Sequence, residues 1–283
     1  MRIGNQLTGI DLMAQHNLLQ SYNQLNLSAV RLSTMQRINT ASDDPAGLIA
    51  VENMRAELTA INAATDNAAR AGGIISTADS AMAEISSLLN TVRGNTVAAA
   101  SDGRSDAEVA ALQMETDAAL AAINRIGNST SFGGKPLLDG STMTFVFSPD
   151  VSDTSTVTMP HVSTSALGGA SGMLSDLGSG GSSNLADGDL YTAMSILDEA
   201  GSQVVNARAS LGAFQKYTVE SSVRVLDSME ENISSAFSQI FDTDVAQESS
   251  QLIRAQILVD AGISTLMTAG QSRSQIGRLV GGW

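Results

Sequence analysis

The sequence has no cysteine, two histidines and only four prolines, and aromatic residues make up 4% of its 283 positions. Without cysteine, the chain can form neither a disulfide framework nor a thiolate metal site. Few aromatic residues beside 43% hydrophobic residues favour helices that pack through small aliphatic contacts rather than around one thick globular core. No continuous apolar run approaches the roughly 18 residues of a membrane span, so we expect no membrane insertion.

Charge is distributed unevenly along this chain, whose net charge is −14. Residues 1–40 carry +2, residues 241–283 carry −1, and the middle therefore carries −15. An acidic middle between nearly neutral ends predicts a solvated body and termini that become buried. Because a basic patch is missing, we expect no nucleic-acid partner.

Both ends of the chain have apolar residues at helical spacing. The stripe near the N-terminus includes Met13 and Tyr22, beside the seam residues given below. In the stripe near the C-terminus the apolar positions fall seven apart, and small residues stand between them at Ala255, Gly262 and Ala269. Such a narrow stripe is typical of a coiled-coil contact, although two ordinary core helices remain the alternative. A helix of ~40 residues would be ~60 Å long, so it needs a partner helix or a neighbouring subunit. The predicted assembly seam consists of Ile3, Leu7, Ile10, Leu18, Leu25, Val245, Leu252, Val259, Ile263 and Leu266.

The middle of the chain predicts three helices, over roughly residues 44–100, 104–127 and 188–240, with Gly127 as the C-terminal cap of the second. "TMTFVFS" and "STVTMP" predict two short strands, and Pro149 and Asp150 start the turn between them. "GGASGMLSDLGSGGSSN" predicts a surface segment. Exposed Ser and Thr in residues 141–185 are candidate O-glycan acceptors, with an unmodified loop as the alternative.

Catalysis requires a convergent set of titratable groups. The two histidines, His16 and His161, lie in the N-terminal stripe and in the predicted strand region, far apart in sequence. No metalloprotease pair of histidines and no phosphate-binding glycine loop is present in the sequence. We therefore expect no catalytic, cofactor-binding or metal-binding residues.

The stretch "RLSTMQRINTASDDPAGLIA", Arg31 to Ala50, separates two helical patterns. Arg31 and Arg37 are predicted to lie in the last turns of the first helix, and Asn39 to cap it in the left-handed conformation. Asp44 is predicted to cap the second helix, which Pro45 begins. A calcium site is the alternative, but no further acidic residues follow at the spacing of a calcium loop. The predicted hinge residues are Arg31, Arg37, Asn39, Asp43, Asp44, Pro45 and Gly47.

Three segments resemble those of bacterial flagellins. The hinge stretch resembles the N-terminal flagellin motif, and "INRIGNSTSFGGKPLLDGS" resembles the segment that closes the conserved N-terminal half. "RAQILVDAGISTLMTAG" is similar to the C-terminal motif, which begins with Arg254, Ala255, Gln256, Ile257 and Leu258. The three matches occur in the family's order and cover roughly residues 1–141 and 188–280.

The resemblance implies a mainly α fold of long coiled-coil-like helices that form an elongated rod, with a small β-hairpin and loop insert. Residues 1–40 and 241–283 would be inner-tube helices, residues 41–140 and 188–240 the two halves of an outer helical rod, and residues 141–187 the surface insert. The terminal helices are expected to be disordered in the free monomer and to fold during incorporation.

The function implied by the resemblance is structural rather than enzymatic: a subunit that polymerises into the extracellular flagellar filament for swimming motility. A hook–filament junction protein is the alternative. Implied partners are further copies of the chain, the flagellar export apparatus, a chaperone at the C-terminal helix, and the filament cap and hook-junction proteins. Export would proceed without a cleaved signal peptide.

The chain departs from the family pattern at several positions. Met35 and Gln36 stand where the family usually has glycine and leucine. Thr91 and Asn95 stand in the helix region where flagellins recognised by the Toll-like innate receptor carry an arginine and a leucine at the contact. Although Glu115 matches a third contact, these two residues argue against recognition. The segment "GRLVGGW" departs from the family's usual leucine-rich ending, and the resemblance suggests no role for Trp283.

Overall fold

The computed structural model describes the backbone of residues 2–280 and the side chains of residues 11–272, 274, 275 and 278. Helices dominate this part of the chain, as the sequence predicts, and the mainly α fold is confirmed. The helices are α1 (Arg2–Thr34), α2 (Pro45–Ala99), α3 (Asp106–Ser129), α4 (Leu190–Phe214), α5 (Glu220–Phe241) and α6 (Val245–Val280). A π-helical turn, Gln215–Val219, joins α4 to α5, and the sequence pattern gave no sign of it.

The described strands form three small antiparallel pairs. The largest pairs β3 (Thr142–Val146) with β4 (Thr154–Thr158), the two strands that the alternating pattern predicts. In this pair Thr142 lies opposite Thr158. The smaller pairs are β1 (Ser131–Phe132) with β2 (Lys135–Pro136) and β5 (Gly168–Gly169) with β6 (Gly172–Met173). A short 3-10 helix, Leu174–Leu177, follows β6.

The chain divides into two compact units. One unit combines residues 1–58 with residues 231–283, and the other consists of residues 59–230. The division falls within α2 and within α5. The five functional segments inferred from the resemblance remain a prediction.

The unit of residues 59–230 has a core built on one face of α2. Ile75, Met82 and Ile85 have no exposed surface, which agrees with the predicted stripe. They belong to one cluster with Ile123 of α3 and Ile196 of α4. Their spacing places them on the same side of the helix, so a single face of α2 supports the other elements.

The Gly/Ser-rich segment is more than a surface loop, so that prediction is wrong. Leu174 and Leu177 are fully buried and Leu185 is nearly so. Buried Gln113 of α3 holds the segment, since its Nε2 donates to the Leu177 carbonyl oxygen at 2.9 Å and its Oε1 accepts from the Leu185 amide at 2.7 Å. Composition pointed to the surface, but three leucines provide enough apolar area for anchoring.

Gly127 was predicted to cap the C-terminus of α3, and this prediction is wrong. The helix continues through Ser129, with Thr130 as its C-cap, and Gly127 is buried inside it. A Cβ at this position would overlap the carbonyl oxygen of Val162. The glycine is therefore explained by the close approach of a distant backbone, which local sequence cannot reveal.

Candidate assembly surface

Helices α1 and α6 pack side by side and run antiparallel. Leu18 lies against Gly262, where an added Cβ would be 3.0 Å from the Leu18 Cδ1 atom. Nearer the end of α1, Gln24 Nε2 donates to Gln251 Oε1 at 3.2 Å. Residue numbers thus rise along one helix as they fall along the other. Because Gly262 has no side chain, Leu18 can pack directly against α6 and the two helices come close, as the small residues of the C-terminal stripe predicted.

The seam residues differ in burial within the chain. Val259 is 5% exposed and its small neighbour Ala255 is 3% exposed. Val245 and Ile263 are exposed instead, and Val245 is the first residue of α6, where the pairing has barely begun. Leu18, Leu25, Leu252 and Leu266 are half-buried between α1 and α6 or at their edge. The side chains of Ile3, Leu7 and Ile10 lie outside the described residues.

The outer faces of α1 and α6 carry many exposed apolar side chains. Within Val245–Ser272 the most apolar 18-residue window has a mean hydropathy of 1.2, and only 11% of that window is buried. By length and composition alone, this helix could cross a membrane. The search for continuous apolar runs missed it because polar residues interrupt it. Such a surface is typical of a site that another molecule covers. Its exposed members are Leu12, Met13, Leu19, Tyr22, Val30, Ile253, Ile257, Leu258 and Met267.

The C-terminal family motif lies on this pair of helices. Among its first five residues only Ala255 is buried, while Arg254, Gln256, Ile257 and Leu258 are exposed. Arg254, Ala255 and Leu258 help line a groove of about 570 Å³ between α1 and α6. Most of the motif is thus available for contacts outside the chain.

The first helix ends at Thr34, earlier than predicted, so Arg37 lies beyond it. Met35, immediately after the helix, has a φ of 57°, which places it in the left-handed region. It takes the role that the sequence analysis gave to Asn39, whose Nδ2 instead donates to the Gln36 carbonyl oxygen at 2.9 Å. Asn39 is too far from the helix end to cap it.

The segment after α1 is tied to the segment between α5 and α6. The Arg37 amide donates to the Phe241 carbonyl oxygen at 2.7 Å, and the Thr243 amide donates to the Met35 carbonyl oxygen at 3.1 Å. The Arg37 guanidinium also donates to the Ile240 carbonyl oxygen, from Nε at 2.9 Å and from an Nη at 2.7 Å. The predicted hinge is therefore one side of a corner, which we call the paired corner (residues 35–44 and 240–244).

The adjacent aspartates have separate local roles. Asp43 Oδ2 accepts from the Thr40 amide at 2.8 Å and from the Asn39 amide at 3.1 Å, and the Thr40 bonds are the main reason that the pKa of Asp43 is lowered. Asp44 Oδ1 accepts from the Gly47 amide at 2.9 Å, so the predicted cap of α2 is observed. Pro45 is the first residue of that helix, also as predicted. Because both carboxylates are engaged by their own loop, the calcium alternative loses its ligands.

Gly47 of α2 packs tightly against the paired corner. A Cβ there would overlap the Asp44 carboxylate and come within 2.7 Å of Ile38 Cδ1. Ile38 is itself buried with Val51 and Phe241 in a small apolar cluster. The sequence analysis did not single out this cluster, although Ile38 is the one large apolar residue between Gln36 and Leu48.

One charged residue is buried between α1 and α6. Glu248 is 6% exposed, and its Oε2 lies 3.8 Å from a guanidinium nitrogen of Arg31. Arg31 Nε also donates to the Arg37 carbonyl oxygen at 3.1 Å, so Arg31 joins the helix pair to the paired corner. The sequence analysis placed Arg31 correctly in the last turn of α1 but missed Glu248 as its partner.

No group of three or more His, Cys, Asp or Glu side chains that could hold a metal ion is found in the described part of the chain. The arrangement of α1, α6 and the paired corner offers apolar area, a polar groove and a fixed turn. It can therefore support packing against other helices.

Comparison with known proteins agrees with this geometry. The family described as the bacterial flagellin N-terminal helical region matches residues 8–143, and the one described as the bacterial flagellin C-terminal helical region matches residues 194–279. Together they cover the helices on both sides of the insert.

Individual relatives extend the similarity across the chain. The flagellin of Bacillus subtilis (strain 168) is 29% identical over 99% of this chain and 100% of its own length. The flagellar filament 33 kDa core protein of Treponema phagedenis is 28% identical over 94% of this chain and 95% of its own length. The B-type flagellin of Pseudomonas aeruginosa is 38% identical, but over 56% of this chain and 33% of its own length. The chain belongs to the bacterial flagellin family, whose members are structural proteins rather than enzymes.

Proposed function

We propose that this chain is a structural subunit that polymerises into an extracellular flagellar filament and serves swimming motility. The observation that carries the proposal is the exposed apolar surface of the α1–α6 pair, since only 11% of the most apolar 18-residue window within Val245–Ser272 is buried. Leaving such a surface in water is unfavourable by roughly 25 cal/mol for each Å² of apolar area. Packing against the same pair in neighbouring copies would remove it from water.

The predicted seam gives this packing a mechanism. Val259 and Ala255 join α6 to α1 within one copy, whereas the exposed seam residues Val245 and Ile263 remain free for contacts between copies. A helix with an apolar stripe is marginal by itself, because ordering entropy is offset only when the stripe is covered. We therefore propose that the termini gain most of their order during incorporation.

The partners proposed for this chain follow from its family and its exposed helix. Before assembly, a chaperone that binds α6 would shield apolar side chains such as Ile253 and Ile257. Passage through the flagellar export apparatus without a cleaved signal, and contacts with the filament cap and hook-junction proteins, belong to the same proposal. The junction-protein alternative predicts a few copies for each flagellum, whereas a filament subunit predicts thousands.

The test of the proposed function uses purified full-length monomer, short filament fragments as seeds, and sedimentation followed by electron microscopy. We expect the parent chain to sediment as filaments. Ile257→Asp should remain a folded monomer, because Ile257 is exposed on the outer face of α6, but should not polymerise. Gln256→Asp, an exposed neighbour with the same added charge, is the control. Normal filament yield from Ile257→Asp would show that the outer face of α6 does not form the contact between copies.

We propose that the paired corner fixes the angle between the inner-tube helices and the outer helical rod of the filament. Asp44→Ala removes the cap of α2, which is worth ~1 kcal/mol, and Pro45→Gly increases the freedom of its first turn. Neither residue lies on α1 or α6, so the double variant should still assemble. We expect its filaments to differ in curvature or helical parameters. Filaments of unchanged curvature and helical parameters would show that the corner only connects its helices and does not determine the shape of the filament.

A further inference from the structure

Two charged side chains in the middle of α6 have no partner within the described part of the chain. Arg31 pairs with Glu248, but neither Arg254 nor Asp260 makes a side-chain hydrogen bond or ion pair among the described residues. Both side chains are exposed on the helix pair whose outer surface the proposed function buries. A cation or a carboxylate that is buried without a partner is strongly unfavourable, so each needs one in the polymer.

Arg254 lies at a groove suited to a carboxylate. The groove runs between α1 and α6 and has a volume of about 570 Å³. The side-chain amides of Asn17, Gln24 and Gln251 line it, and none of the described residues that line it is acidic. A guanidinium group can hold a carboxylate through two parallel hydrogen bonds, and amide N–H groups can satisfy its remaining lone pairs.

Asp260 is the matching anion, but it cannot reach this groove in its own chain. It follows Arg254 by six residues, which at 100° for each residue places it about 120° around the helix and about 9 Å along it. It is not among the residues that line the groove. The cation and the anion therefore point in different directions from the same helix.

We infer that the Arg254 groove of one copy receives the Asp260 carboxylate of a second copy. This inference rests on the proposed function, because it requires α6 to be buried between copies. Charge complementarity supports a second copy as the occupant, since an acidic chain supplies both the groove and the side chain that fits it. Two different patches of one chain that bind each other make a head-to-tail contact, which repeats into an open helical polymer rather than a closed dimer.

Charge reversal in the full-length chain tests the pairing. We expect Arg254→Asp, and separately Asp260→Arg, to raise the critical monomer concentration for seeded assembly by about thirtyfold or more, which corresponds to ~2 kcal/mol for a broken buried charge pair. The double variant, Arg254→Asp with Asp260→Arg, should return to within about threefold of the parent. Arg278→Asp is the matched control, because Arg278 is an exposed arginine of the same helix outside the groove, and it should assemble like the parent.

The outcomes separate the pairing from the function on which it rests. If the parent chain does not assemble onto seeds, the proposed function fails and the pairing fails with it. If the parent assembles but the double variant is no better than the single variants, the pairing alone is refuted. An equal loss in Arg278→Asp would also refute it, because the effect would then be one of overall charge.

Discussion

Met35→Gly should stabilise the paired corner. A residue other than glycine in the left-handed region costs about 1–2 kcal/mol, and Met35 has a φ of 57°. Glycine removes that cost, but it also makes the unfolded chain more flexible, which takes back about 0.4–1 kcal/mol. The side chain of Met35 is 56% exposed, so little apolar burial is lost. We expect a net gain of ~0.5–1 kcal/mol for closing the corner.

Amide hydrogen exchange in assembled filaments measures this gain locally. The Arg37 and Thr243 amides donate across the corner, to the Phe241 and Met35 carbonyl oxygens, and exchange only when these bonds open. A gain of ~0.5–1 kcal/mol should slow their exchange about two- to fivefold. Met35→Ala is the control, because it removes the side chain but keeps the left-handed strain. Exchange in Met35→Gly that is no slower than in Met35→Ala would refute the argument from backbone strain.

Three further changes test the packing and the pH dependence. Val259→Asp puts a carboxylate into the α1–α6 contact at a cost of several kcal/mol and should prevent seeded filament assembly, whereas Gln256→Asp should assemble like the parent. Gly127→Ala should lower the free energy of unfolding measured in urea by ~1–3 kcal/mol, while Gly94→Ala, at an open position of α2, should raise it by ~0.5–1 kcal/mol; equal effects would contradict the close approach. Because the pKa of Asp43 is lowered in the folded chain, its contribution is present above the ordinary carboxyl value and is lost as pH falls through the folded value. The protection factors of the Arg37 and Thr243 amides, which compare each exchange rate with that of the unfolded chain at the same pH, should therefore fall below about pH 4 in the parent but not at this step in Asp43→Asn.

Helix bounds that depend on neighbouring residues could be predicted from the sequence. Asp44 followed by Pro45 encodes the start of α2 through local chemistry alone, and the structure has both in their expected places. The end of α1 could not be predicted in this way, because methionine at Met35 is not a residue that prefers the left-handed region. The family's usual glycine at this position was the available signal.

Features that depend on distant parts of the chain escaped prediction. Gly127 and Gly262 are the same residue type, but only the packing partner shows that one faces a backbone carbonyl and the other a leucine side chain. Glu248 is a charged residue in an apolar contact, and its burial depends on Arg31, more than 200 positions away. The seam could be predicted because its repeat is visible in the local sequence. The polar contacts between α1 and α6, such as that of Glu248 with Arg31, could not be predicted.

The pairing of α1 with α6 also has a consequence for the timing of synthesis. Gln24 and Gln251, which contact each other across the pair, are separated by 227 residues. At a bacterial rate of about 5–20 residues each second, the ribosome makes the partner of α1 roughly 10–45 s after α1 itself. Throughout that interval the Leu18 face has no helix from its own chain to cover it. Each nascent chain therefore presents an uncovered apolar stripe for most of its translation, and every ribosome on the same message adds another one nearby.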